Sequence, residues 1–131
     1  MSYSFGPTAW KCFNVIAQNF SKFQKPVIQK LFIELAPHLP CRGCRHHYNR
    51  FIHDIDWDTV TSSKESFVIF LTNLHNSVNW RQQKEIIAYP EASELILNSV
   101  LPPHQEIKDC LPKAIYTLFD NTFTGSKLSA W

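Results

Sequence analysis

Proline punctuation is the strongest constraint on this chain. It has eight prolines but only three glycines, and several of the prolines fall between stretches whose apolar residues recur every three or four positions. Proline lacks a backbone N–H and its ring clashes with the preceding turn, so it starts or stops helices. No apolar–polar alternation lasts long enough to build a sheet. The expected fold is all-α: a four-helix bundle with a short fifth helix and a C-terminal extension.

The segments follow from that punctuation. Pro7 suits the first turn of a helix whose apolar face is Trp10, Phe13, Ala17 and Phe20. Pro26 opens a second helix that buries Ile28, Leu31, Phe32 and Leu35, and Pro37 and Pro40 end it. A third begins at Cys41–Cys44 and buries Tyr48, Phe51, Ile52 and Ile55, and a loop then spans Asp54 to Thr61. Ser62 and Glu65 form a capping-box pattern before a fourth helix that reaches Arg81. Its stripe is Phe67, Phe70, Leu71, Leu74 and Val78, with His75 at the edge. Pro90 begins the fifth, which carries Leu95 and Ile96, and Pro102-Pro103 breaks the chain again. Residues 100–131 read as an extension, partly helical through Ile115, Leu118 and Phe119, with a loose tail ending in Trp131.

A length of 131 residues with 44% hydrophobic content fits one globular domain, 1–131. A net charge of +2 is too small to argue for a nucleic-acid or membrane surface. No apolar run approaches the roughly 20 residues that span a bilayer. The N-terminus has neither the basic nor the apolar region of a secretory signal, so a soluble cytoplasmic protein is expected.

The four cysteines are Cys12, Cys41, Cys44 and Cys110. Pro40-Cys41-Arg42-Gly43-Cys44 sets two thiols one turn apart at a helix start, a spacing that permits a disulfide. The positive end of the helix, with Arg42, Arg45, His46 and His47 nearby, favours the thiolate that disulfide exchange needs. The same pair with His47 also has the makings of a zinc-binding helical interaction module. The pair alone supports both readings. For Cys12 and Cys110 the sequence leaves two readings open, a structural disulfide tying the C-terminal segment to the first helix or buried free thiols, and a cytosolic setting leans slightly to the free thiols.

Two further patterns accompany the pair. Phe5-Gly6-Pro7-Thr8-Ala9-Trp10 precedes it, and His75-Asn76-Ser77-Val78-Asn79 follows, with Lys84 five residues on. Separately, each has an ordinary explanation: a helix start with a core tryptophan, a polar helix edge, a solvated lysine. Together, in this order, they resemble the Erv/ALR family of FAD-linked sulfhydryl oxidases, over Phe5 to about Tyr89. The short length looks most like the compact members encoded by large DNA viruses.

The resemblance implies roles residue by residue. Cys41 and Cys44 match the redox pair, Cys44 lying against the flavin and Cys41 exchanging with substrate. Gly6 and Trp10 match N-terminal FAD contacts. His75, Asn76, Val78 and Asn79 match residues on the adenine and ribose side, and Lys84 a lysine at the phosphate or flavin end. Tyr89 stands where an aromatic packs on adenine, and His47 and Tyr48 where the third helix faces FAD. Asn14 replaces a common histidine. The family's C-terminal cysteine pair and its shuttle pair are missing. The implied activity oxidises a thioredoxin-like or other protein dithiol through FAD with O2 as acceptor, giving H2O2, in a homodimer.

Overall fold

The computed structural model describes residues 2–122, with side chains from residue 5 onward. Every regular element among them is helical. They are α1 (Ser2–Gln18), α2 (Lys25–Glu34), α3 (Arg42–His53), α4 (Trp57–Val60), α5 (Lys64–Arg81), α6 (Tyr89–Leu97), α7 (His104–Cys110) and α8 (Lys113–Asn121), with single 3-10 turns before and after α2. α1 packs on α5, α6 and α7; α2 packs on α8; α4 bridges α2 and α5.

Most helix starts fall where the punctuation puts them. Pro26 lies in the first turn of α2 and Pro90 in that of α6. Cys41 is the N-cap of α3. Three boundaries differ from expectation. α1 begins at Ser2 and carries Pro7 inside it, so the proline is tolerated early in the helix instead of opening it. The expected 54–61 loop contains α4, a single turn capped by the Asp56 carboxylate, which accepts from the Asp58 and Thr59 amides. The cap of α5 is Ser63, not Ser62: the Ser63 hydroxyl accepts from the Ser66 N–H at 3.0 Å. Ser62 instead donates to the Thr59 carbonyl, closing α4.

The core is aromatic and centred on Phe32. Its ring meets Phe13 at 4.9 Å, Phe70 at 5.2 Å and Phe67 at 6.0 Å between centroids. Phe32, Phe67 and Phe70 are buried, as are Ile28, Leu31, Leu71 and Leu74. Phe51 and Ile55, expected in the core, are half-buried at its margin. Leu95 is exposed, whereas Ile96 is buried.

Residues 104–121 form two helices, α7 and α8, that complete the core with Ile107, Ile115 and Phe119. The Gln24 side chain donates to the Thr122 carbonyl and ties the end of α8 to the start of α2. Residues 123–131, including the expected tail and Trp131, lie outside the described residues.

Because Phe32 touches rings from α1, α4 and α5, truncating it opens a cavity shared by several helices. Phe32→Ala is expected to lower unfolding free energy by about 3–5 kcal/mol, measured by urea denaturation. Phe32→Leu, which leaves a smaller void, is expected to cost less.

Candidate functional site

Cys41 and Cys44 are joined in a disulfide, with α-carbons 5.1 Å apart. Cys41 is exposed at the N-cap, and its Sγ accepts from the Cys44 N–H at 3.0 Å. Cys44, one turn in, is partly covered and lines a cleft of about 730 Å³. The two sulfurs of one bond therefore face different surroundings, solvent and cleft.

The cleft runs between α1, α3 and the end of α5. Of the residues singled out in the sequence, Gly6 and Trp10 line it from α1, His47 and Tyr48 from α3, and His75, Val78, Asn79 and Lys84 from α5 and beyond. The Trp10 and His75 rings stack 3.9 Å apart and 7° from parallel, forming a flat double-ring wall. His47 Nε2 meets the Ser77 hydroxyl at 2.7 Å and bridges α3 to α5. The Tyr48 hydroxyl donates to the Phe32 carbonyl, so its ring serves as wall while its polar end is engaged in the core. Burial pushes the Tyr48 phenol well above its usual pKa.

Three expected contacts stand elsewhere. The Asn14 amide donates to the Ser99 hydroxyl at 2.8 Å, and Gln18, one turn on, donates to the Ile96 and Ser99 carbonyls. Both hold the end of α6 against α1. Asn76 pairs with the Ile87 backbone in both directions, donating at 2.7 Å and accepting at 3.0 Å. Tyr89 is the first residue of α6, exposed and outside the cleft wall.

Asn79 has two duties: its side chain donates to the Glu85 carbonyl at 3.1 Å, and it lines the cleft. The chain between them turns sharply. The Lys84 N–H reaches the Asn79 carbonyl at 2.8 Å and the Gln83 N–H reaches the Trp80 carbonyl at 3.1 Å. This is a Schellman closure of α5, with Gln83 at φ 61° where glycine is usual. The turn directs Lys84 to the cleft, and the two asparagines pin the returning segment.

Sequence reasoning missed Arg81. It lines the cleft, and its guanidinium lies over Gly43, where a Cβ would run into Arg81 Nη2. A glycine inside the cysteine motif is the signal for such a close approach. Phe5, Pro7 and Leu39 add apolar wall. Gly6 presents a bare α-carbon, and a Cβ there would meet nothing within 4 Å among the described residues. No packing neighbour therefore requires a glycine at that point of the wall.

Burial, then the charge of Lys84, pushes the His75 pKa below its ordinary value of 6.5. At neutral pH the ring is a neutral platform. Elsewhere, burial above all pushes the Cys12 thiol up to about 12, with Glu106 and Cys110 adding to the shift. Cys12 and Cys110 are both free thiols. Among the described residues, no group of three or more His, Cys, Asp or Glu is arranged to hold a metal ion. The disulfide also engages both sulfurs that the zinc reading requires as thiolates.

Fold and site define a class: a helical redox protein with a disulfide at a helix N-terminus, on the rim of an aromatic cleft with cations at its mouth. The chain belongs to the Erv1/Alr family, whose model matches residues 7–95, more than half of the chain. It is similar to the FAD-linked sulfhydryl oxidase of African swine fever virus (isolate Pig/Kenya/KEN-50/1950), with 32% identity over 101 residues, 73% of this chain and 82% of that protein. Protein 347L of Invertebrate iridescent virus 6, provisionally named an FAD-linked sulfhydryl oxidase, is 31% identical over 91 residues, 63% of this chain and 82% of its own length. R368 of Acanthamoeba polyphaga mimivirus, provisionally given the same name, is 37% identical over 65 residues, 49% of this chain and 46% of its own. No solved structure gives a significant match.

Two outcomes are expected. Gln83→Gly relieves a left-handed backbone at a side-chain-bearing residue, so it is expected to raise stability by about 1 kcal/mol, read from the urea midpoint. For His75, the folded protein binds a proton less readily than the unfolded chain does. As pH falls below about 6.5 the unfolded state takes up more protons, and stability falls. The His75 resonance is expected to titrate below 6.5 in wild type and to move upward in Lys84→Met. The loss of Tm between pH 7 and 5 is expected to shrink in His75→Phe.

Proposed function

We propose that this chain is an FAD-dependent thiol oxidase that forms disulfides in a protein dithiol through Cys41 and Cys44. The observation that carries the reading is the asymmetry of the pair: one sulfur is open to a partner and the other borders a cleft of cofactor size. Family membership and the names of the viral relatives support it. They give no support to the zinc-binding module.

The cleft suits FAD by its chemistry. The Trp10–His75 wall and the Tyr48 ring offer faces for flat ring systems. Arg81 and Lys84 offer cations for a diphosphate, and Gly6 leaves room for close approach. Asn14 and Asn76 act in this reading as supports, one holding α6 and the other the segment that carries Lys84; Tyr89 remains a candidate at the edge. FAD, when bound, accepts two electrons from the reduced pair and passes them to O2, giving H2O2.

The protein's own part is thiol–disulfide exchange. A partner thiolate attacks Cys41 Sγ, the Cys41–Cys44 bond breaks, and Cys44 leaves as a thiolate. The partner's second thiol then attacks its own sulfur in the mixed disulfide and releases Cys41. The partner loses two electrons and two protons, and the pair gains them. The Cys44 N–H, 3.0 Å from Cys41 Sγ, and the positive end of α3 stabilise the Cys41 thiolate as it leaves.

The working unit proposed is a single FAD domain that includes α7 and α8 and acts as a homodimer in the host cytoplasm or at a viral assembly site. No described helix is long and apolar enough to cross a membrane.

Cys44→Ala removes the thiolate that can reverse the mixed disulfide, and a partner stripped of its second cysteine cannot complete the forward step. The Cys44→Ala variant, once its Cys41 is activated as a mixed disulfide with a small thiol, is expected to hold a partner lacking its second cysteine covalently until reductant is added, seen on non-reducing gels, and to release the intact dithiol partner in oxidised form. Turnover of dithiothreitol is expected to vanish in both Cys41→Ser and Cys44→Ser. Undiminished turnover in either would rule out the pair as the redox centre.

A further inference from the structure

The charge of this protein is unevenly placed. Residues 35–53 contain Arg42, Arg45 and Arg50 and no acidic residue. The whole chain sums to +2, so everything outside that segment sums to −1. The segment that carries the disulfide is thus net positive by three charges, with no acidic residue within it.

On α3 that charge is ordered. Arg42, His46 and Arg50 are spaced four apart and therefore share one face; all three are exposed. From Arg42 to Arg50 the stripe extends about 12 Å along the helix from the disulfide. None of the three has an ion-pair partner among the described residues. The next position at that spacing is Asp54, an exposed carboxylate that ends the stripe and meets His53 at 3.2 Å. Arg45 is turned aside, donating to the Leu39 carbonyl at 2.9 Å. Arg81 adds a further cation beside Gly43.

We propose that this face of α3 is the docking surface for the substrate and that it selects a protein dithiol flanked by acidic residues. The inference rests on the thiol-oxidase reading and adds the chemistry of the partner to it. The exposed arginines of this row, beginning with Arg42 beside the attacked sulfur, steer an acidic partner's cysteine toward Cys41 and repel a basic one. With a net charge of only +2 on the whole chain, the surface suits a local acidic patch better than a long polyanion.

The test uses the full FAD-loaded chain and three substrates: dithiothreitol, a dithiol peptide flanked by glutamates, and the same peptide flanked by lysines. At low ionic strength kcat/KM for the glutamate peptide is expected to exceed that for the lysine peptide about tenfold. The ratio is expected to fall below about twofold near 0.5 M salt, where charges are screened within a few ångströms. Arg50→Glu, far along the stripe from the sulfurs, is expected to cut the glutamate preference at least about threefold and leave dithiothreitol turnover unchanged. Equal rates for the two peptides, or a preference that survives Arg50→Glu, would overturn the docking surface while normal dithiothreitol turnover leaves the oxidase reading standing. Absent dithiothreitol turnover in wild type would overturn the oxidase reading and this inference with it.

Discussion

The roll of α3 about its own axis decides what each cysteine faces, and Tyr48 fixes that roll. Of the twelve residues of α3, only Tyr48 and Ile52 are buried. The Tyr48 hydroxyl donates to the Phe32 carbonyl, which joins the most polar helix to the centre of the aromatic core. His47 and Phe51 add attachments to α5, through Ser77 and Phe70. With that face held inward, Cys44 borders the cleft, Cys41 is left outside at the N-cap, and Arg42 and Arg50 point to water. The different surroundings of two sulfurs three residues apart are a consequence of packing on the opposite side of the helix.

The rest of the site depends on α5 in the same way. Its buried stripe of Phe67, Phe70, Leu71 and Leu74 sets the helix against the core, and this presents His75 to Trp10. The helix then ends in a left-handed turn at Gln83, and the asparagine contacts to Glu85 and Ile87 hold the chain as it returns. Lys84 is positioned by the turn and its side-chain braces, not by the helix. A residue in a strained backbone region next to the cleft fits the pattern of strain stored where function needs a particular geometry.

Much of this was legible in the sequence because helices separated by prolines announce themselves. The core positions of α2 and α5 follow from apolar period, and the cysteine pair from its spacing. What stayed hidden depends on contacts distant in sequence. α4 is one turn long, too short for a period to register, and only the Asp56 cap marks it. Ser62 and Ser63 are both suitable caps, and only the path of the chain out of α4 chooses between them. Asn14 and Asn76 are polar residues beside apolar stripes, a pattern that fits a ligand contact and a backbone clamp equally well. Their partners, Ser99 and Ile87, become neighbours only after the chain has turned back. Arg81 reads as an ordinary charge at a helix end until Gly43 is seen beneath it.

In the proposed function the cleft beside Cys44 holds FAD in working contact with the disulfide. The most direct measurement is the visible absorbance spectrum of the purified protein, taken before and after adding excess FAD and removing what is unbound. A flavin band is expected to persist at about one FAD per chain and to bleach when dithiothreitol is added without oxygen. A colourless protein that retains no FAD, or a bound flavin that dithiothreitol cannot bleach, would contradict it.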